Sequence, residues 1–252
     1  MISLLLIVKM ESSVSTPHCS LILYLAKDAG LIPTFLQDIR SFFAKFPIHY
    51  EVIAVVEKGA SDCAKAIQDQ QKLSPAKESL RLEQNAKVLG RAQSMIQGLN
   101  RGQAPALLLL NAEMASPLGD VFKLWQHLIA EEQSDIVWGD RYSKKDSPFQ
   151  SSVSPRVRTE HFFNQILRGK DRKDSLEDPL CEVLAIRKSA WEKIRSELAT
   201  KKVKGWYLSA ALQKCTAIDD MKIIEVPIFD SGATSPSYST WKERWYLMTS
   251  AR

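Results

Sequence analysis

The sequence predicts an α/β protein with a mostly parallel central sheet flanked by helices on both faces. Three observations predict it. Short apolar runs of strand length recur along the chain, and amphipathic stretches at helical spacing separate them. The runs are apolar throughout instead of alternating, as strands covered on both faces are. Strand–helix alternation of this kind builds parallel βαβ units.

Ser20 to Ala26 (SLILYLA) is the first run. Leu31 to Phe43 follows, with Leu31, Phe35, Leu36, Ile39 and Phe42 on one helical face. Glu51 to Val56 (EVIAVV) is rich in β-branched residues and predicts a second buried strand. Gly59 breaks it, and Ser61-Asp62 can cap a helix through Cys63 to Gln71. A short strand is expected at Glu78 to Glu83, then a helix from Gly90 to Gly102 with Met95, Ile96 and Leu99 inward. Pro105 to Leu110 (PALLLL) is the strongest buried strand and runs straight into Asn111-Ala112-Glu113. Pro117 opens a helix to Ala130, and Asp135 to Trp138 (DIVW) gives another strand.

The second half is less regular. Residues 143–160, rich in Ser, Lys and Pro, read as a long loop. Helices are expected at Thr159 to Leu167, Ser189 to Ser196 and Gly205 to Lys214, and strands at Glu182 to Ile186 and Met221 to Val226. No internal repeat is visible. The expected organisation is an extension over 1–17, one α/β domain over 18–230 with halves 18–113 and 114–230, and a tail over 231–252.

A net charge of +5 and a pI near 8.9 suit an anionic partner such as a nucleotide or a phospholipid surface. No nucleic-acid-binding motif accompanies that charge, so no nucleic acid partner is expected. The four cysteines, at 19, 63, 181 and 215, form no CxxC pair and predict neither a zinc site nor a disulfide framework. Reduced thiols and a cytoplasmic location are the expectation. The apolar run Ile2 to Val8 is too short to span a bilayer, and Met10 is a second candidate start. The pair Trp241 and Trp245 with neighbouring Lys and Arg suits either a membrane interface, giving a peripheral contact, or docking on the domain.

Ligands of parallel α/β sheets bind beyond the carboxyl ends of the strands. Here two such ends, Val56-Glu57 and Leu110 to Glu113, finish in acidic or amide side chains.

The order of the short motifs resembles family 2 glycosyltransferases, in particular the dolichol-phosphate mannose synthase and polyprenyl-phosphate sugar transferase branch. Tyr24 to Asp28 stands where that family writes Pro-x-Tyr-Asn-Glu, and Glu57 to Asp62 where it writes Asp-Asp-Gly-Ser-Thr-Asp. Gly90-Arg91-Ala92 resembles its Gly-Lys-Gly helix start, and Asn111-Ala112-Glu113 occupies the place of the metal-binding Asp-x-Asp. Asp135 to Tyr142 (DIVWGDRY) is similar to the strand ending in Gly-Ser-Arg-Tyr. Asp178 to Arg187 (DPLCEVLAIR) resembles the Asp-x-x-x-Gly-Phe segment. Gly205-Trp206-Tyr207 and Glu225-Val226-Pro227 match the acceptor helix and the closing strand. The likeness spans residues 18 to 230.

That resemblance implies a GT-A fold with a nucleotide-binding half (18–113) and an acceptor half (114–230). It implies transfer of a sugar from a nucleotide-diphosphate donor, with Mg²⁺ or Mn²⁺, to a polyprenyl-phosphate or glycan acceptor. Glu57, Lys58, Arg91 and Asn111 would contact the nucleotide, and Glu113 and Asn111 the metal. Trp206 and Tyr207 would face the acceptor, with Asp178 the catalytic carboxylate. Several family positions are changed. Lys58 replaces an acid, the Asn111/Glu113 pair carries one negative charge where Asp-x-Asp carries two, and Ala211 stands where relatives carry an acid. Two readings stay open: an active enzyme with a degenerate metal motif and weakened metal affinity, or an inactive relative that binds a nucleotide, a sugar or a protein. Each singled-out residue also has a plain structural role open to it: a solvated turn for Glu57, Asn111 and Glu113, a cap before Pro179 for Asp178, and core for Trp206 and Tyr207. A sugar-phosphate nucleotidyltransferase shares the sheet type, but Lys27-Asp28-Ala29-Gly30 lacks the glycine-rich Arg-Lys signature of that class.

Overall fold

The computed structural model describes residues 16–110, 118–130, 134–141, 176–178, 181–200, 208–213, 215, 218 and 220–228. The strands are β1 (Cys19–Leu25), β2 (Tyr50–Val56), β3 (Glu78–Gln84), β4 (Ala106–Leu110), β5 (Ile136–Asp140), β6 (Leu184–Arg187) and β7 (Ile223–Pro227). The helices are α1 (Ile32–Phe43), α2 (Ser61–Gln71), α3 (Arg91–Arg101), α4 (Leu118–Ala130), α5 (Lys188–Thr200) and α6 (Leu208–Leu212).

Among the described residues one seven-stranded sheet runs in the order β3-β2-β1-β4-β6-β5-β7. The pairs β3-β2, β2-β1, β1-β4 and β5-β7 are parallel, whereas β6 runs antiparallel to both β4 and β5. Every residue of β2, β4 and β5 is buried, which is the reason their sequences are apolar without alternation. The edge strands differ: β3 mixes buried with exposed residues, and β7 is mostly half-buried. Charged residues on β3 suit an edge, where they discourage pairing with another chain.

The predicted elements fall within a few residues of the observed ones. The expected strand at Glu182 to Ile186 begins two residues later, and Glu182 and Val183 lead into it. The expected helix at Thr159 to Leu167, the 143–160 loop and the tail lie outside the described residues. So do most of the first 17 residues.

Helix α3 seats unusually close to the sheet. A Cβ on Gly98 would stand 2.5 Å from Ile22 Cγ2 and 2.9 Å from Val55 Cγ2. Only glycine permits that approach, which seats the later half of α3 against β1 and β2. At the opposite end of the sheet, Phe42, Phe46 and Phe122 meet at centroid distances of 4.5 to 5.4 Å and join α1 to α4. There too, buried carboxylates act as staples. Glu51 accepts the Gln103 and Ala104 amides, and Glu78 accepts Arg40 at 2.9 Å and the Tyr50 hydroxyl at 3.0 Å.

All four cysteines are buried and none is joined to another. Among the described residues no helix is long and apolar enough to cross a membrane.

Candidate functional site

The ends of β1, β2, β4 and β5 open on one edge of the sheet. Because β6 is reversed it starts at that same edge, with Leu184 level with Leu109 of β4 and Trp138 of β5. Residues that follow the parallel strands and residues that precede β6 therefore meet there.

The end of β2 delivers Glu57, whose carboxylate is almost fully enclosed. Its Oε1 accepts the Lys58 amide at 3.1 Å, the Leu89 amide at 3.0 Å and Asn85 Nδ2 at 3.1 Å. Its Oε2 accepts the Gly90 amide at 2.8 Å and, more distantly, the Tyr24 hydroxyl at 3.4 Å. Gly90 has φ of +80°, a left-handed backbone that disfavours a side chain. The carboxylate thus gathers the segment between β3 and α3 into a tight turn. Ser94 Oγ completes it by bonding the Gly90 carbonyl while accepting Asn85 Nδ2, both at 2.8 Å. Burial pushes the Glu57 carboxyl up, but the converging donors from Leu89, Asn85, Gly90 and Lys58 outweigh it and hold the group below its ordinary value.

That turn places Arg91 at the start of α3, 2% exposed, with Nη2 at 4.0 Å from Glu182 Oε2. Glu182 is equally buried, and its Oε1 accepts the Ser209 amide at 3.0 Å and the Ser209 hydroxyl at 2.6 Å. The charge contact ties the half that carries β1 to β4 to the half that carries β6 and α6.

Just past the end of β5, Arg141 grips Asp178. Nε lies 2.6 Å from Oδ2 and Nη2 2.8 Å from Oδ1, a two-pronged contact reinforced by the Arg141 amide at 3.2 Å. Asp178 is fully buried. From β7, Glu225 accepts the Glu177 amide at 2.8 Å and the Asp178 amide at 3.2 Å. Burial is the main force pushing the Glu225 carboxyl above its ordinary value. The backbone donors from Glu177 and Asp178 oppose it, and the nearby Asp140 and Glu177 charges add to it.

Beside the end of β1 lies a shallow, partly open recess lined by Tyr24, Lys27, Asp28, Leu31 and Phe35. Asp28 turns the chain there with φ of +57°, a conformation that aspartate tolerates better than most residues.

No family model matches the chain, and no curated protein matches it either. Solved structures do match. A mannosyltransferase from Pyrobaculum calidifontis, in complex with GDP-Man and Mn²⁺, superposes with a TM-score of 0.59 at 15% identity. That match covers 91% of this chain, which spans only 61% of the mannosyltransferase chain. A glucosyl-3-phosphoglycerate synthase from Mycobacterium tuberculosis, in complex with Mn²⁺, UDP and glucosyl-3-phosphoglycerate, gives 0.60 at 11% identity, over 93% of this chain and 77% of its own. A 4-diphosphocytidyl-2C-methyl-D-erythritol synthase from Anaerococcus prevotii gives 0.55 at 15% identity, over 93% and 98%. The chain has the GT-A fold. At such identities the likeness reaches the fold and no further.

Within the GT-A sheet, the residues singled out from sequence divide into two groups. Glu57, Arg91 and Asp178 come to the expected edge, each engaged by the chain's own groups, and Lys58 stands exposed beside them. Asn111, Glu113, Trp206 and Tyr207 lie outside the described residues, although β4 brings the chain to this edge at Leu110. Among the described residues no three His, Cys, Asp or Glu side chains cluster as a metal site. Ala211, where relatives carry an acid, is partly buried against the core.

Sequence reading passed over Arg141, Glu182, Ser209 and Asn85. A signal for Glu182 was present: one charge inside an apolar run, between Cys181 and Val183, all three buried. A buried charge needs a partner, so such a position asks for one.

Proposed function

We propose that this chain is a family 2-like glycosyltransferase that moves a sugar from a nucleoside-diphosphate donor to a polyprenyl-phosphate or glycan acceptor. The observation that carries the reading is the Glu57-gathered turn, which sets Gly90 and Arg91 on the edge where β4 ends. Glycine-led turns at helix starts suit phosphate, because backbone N–H groups and the helix dipole face it.

In this reading the nucleoside lies over the ends of β1 and β2, its base in the recess lined by Tyr24 and Phe35. Glu57 acts by shaping the turn, and Lys58 and Asn111 reach the nucleotide. Arg91 supports the diphosphate from beneath. Glu113 and Asn111 offer one carboxylate and one amide oxygen, a donor set that suits a hard cation such as Mg²⁺ or Mn²⁺ and binds it less tightly than two carboxylates do. When bound, that cation neutralises charge on the leaving diphosphate. Asp178, fixed by Arg141, orders the acceptor side, and Trp206 and Tyr207 line it. A peripheral membrane contact through the tail fits a lipid-linked acceptor, and the cytoplasm is the expected compartment.

One observation favours the second reading, an inactive nucleotide-, sugar- or protein-binding relative. Glu57, Arg91 and Asp178 are all committed to internal contacts. Calorimetric titration with UDP and GDP, with and without Mn²⁺, separates the two. Metal-dependent binding that disappears in Glu113→Ala supports the transferase. No binding of either nucleotide under any metal condition sinks it and turns the search to protein partners.

A further inference from the structure

Glu57, Asp178, Glu182 and Glu225 are carboxylates at or near the site edge, beside Asp28 after β1, Asp140 at the end of β5 and Glu177. In Glu57 both oxygens accept donors from the chain, and both oxygens of Asp178 lie on Arg141. Both oxygens of Glu225 accept backbone amides. Glu182 differs. Its Oε1 takes two donors from Ser209, while Oε2, equally buried, has no hydrogen-bond donor. Arg91 Nη2 at 4.0 Å balances its charge from beyond hydrogen-bonding distance. A carboxylate oxygen has room for two donors, and leaving it with none in a buried place is unfavourable. Among the described residues the other buried acceptor without a donor is Asn85 Oδ1, and an amide oxygen is too weakly basic to take a proton.

We infer that Glu182 Oε2 is the acceptor-side base of this chain and that the acceptor is a hydroxyl. The inference rests on the sugar-transfer reading above. Glu182 reaches the helix that carries Ser209 and Ala211 from the neighbouring strand, so a carboxylate arrives beside that helix although the helix itself supplies none. Ser209 fixes the side chain through Oε1 and leaves Oε2 as the oxygen that meets a ligand. The Glu182 side chain is 2% exposed, so an acceptor hydroxyl reaches Oε2 by displacing the protein surface over it. In the step, the acceptor O–H gives its proton to Oε2 as the oxygen bonds to the anomeric carbon of the donor. The bond from that carbon to the phosphate oxygen breaks, and its electron pair leaves with the nucleoside diphosphate. Glu182 then returns the proton to solvent.

The test uses the full chain as wild type, Glu182→Ala and Glu182→Gln. Nucleotide affinity is measured by titration with UDP and GDP, folding by urea denaturation, and release of UDP from UDP-glucose or GDP from GDP-mannose with Mn²⁺, water serving as the hydroxyl. Both variants are expected to bind nucleotide within about twofold of wild type and to release it about 100-fold more slowly or worse, the scale of a lost general base. Formate, a small carboxylate that fits the space left by the side chain, is expected to restore release in Glu182→Ala by about tenfold and to leave Glu182→Gln unchanged. Release within about threefold of wild type in both variants overturns the assignment. So does a loss that formate does not restore, or failure of both variants to fold. A wild type that binds nucleotide and releases none from either donor overturns this assignment alone. A wild type that binds no nucleotide overturns the sugar-transfer reading beneath it.

Discussion

Replacing Glu57 with Ala tests whether one side chain holds the turn that begins α3. The substitution removes the acceptor for the amides of Lys58, Leu89 and Gly90 and for Asn85 Nδ2, all within 3.1 Å. A hydrogen bond to a charged group contributes about 1.5–3 kcal/mol, and a buried donor left bare costs about 1–3 kcal/mol. Water entering the space recovers part of that, so the expected loss is about 3 kcal/mol. For a chain of this size that lowers Tm by about 6–12 °C. The pH dependence follows from the lowered Glu57 value. A carboxyl whose folded pKa lies below its unfolded value of 4.5 contributes stability that is present above that value and is lost as pH falls through the folded one. The gap between wild type and Glu57→Ala is therefore full at neutral pH and narrows on acidification below 4.5. Urea denaturation of both proteins at a series of pH values measures it. A loss below about 1 kcal/mol at neutral pH, or a gap that widens on acidification, refutes the idea that these donors hold the turn.

Two further outcomes are expected. Arg141→Met leaves the Asp178 carboxylate buried without its two-pronged partner and should cost about 3–5 kcal/mol, most of it recovered in Arg141→Met/Asp178→Leu. Urea midpoints of the single and double variants decide this, and a double variant no better than the single one refutes it. Gly98→Ala pushes a methyl against Ile22 and Val55 and should cost about 1–3 kcal/mol. An unchanged urea midpoint contradicts the close seat of α3.

The sheet was legible because burial on both faces leaves a plain mark. SLILYLA, EVIAVV and PALLLL each match a strand within two residues, since a central parallel strand admits little except apolar side chains. The reversed direction of β6 was not legible. A four-residue strand with three apolar side chains reads the same in either sense, and pairing direction depends on the path of a distant connection. Near the strand ends, the order of short motifs singled out Glu57, Gly90 and Arg91, and these three lie together at the edge where β2 ends and α3 begins. The partners stayed hidden. That Glu57 serves Leu89 and Gly90, that Arg91 faces Glu182, and that Arg141 claims Asp178 are contacts across 32 to 91 positions of chain, and residue type alone does not choose among so many candidate charges. Cys181 and Cys215 show the same gap, since spacing excluded a disulfide framework but not burial.

The backward course of β6, alone among the described strands, changes how the edge is supplied. In a sheet whose strands all run one way, each strand furnishes the working edge only with what comes after it, directly ahead of the next helix. Here β6 furnishes the edge with what comes before it, and Leu184 is then pinned between Leu109 and Trp138. Glu182 and Val183, just ahead of Leu184, therefore stand at that edge, while α5 continues from the far end of the same strand, so the whole length of β6 separates what meets the edge from the helix that follows.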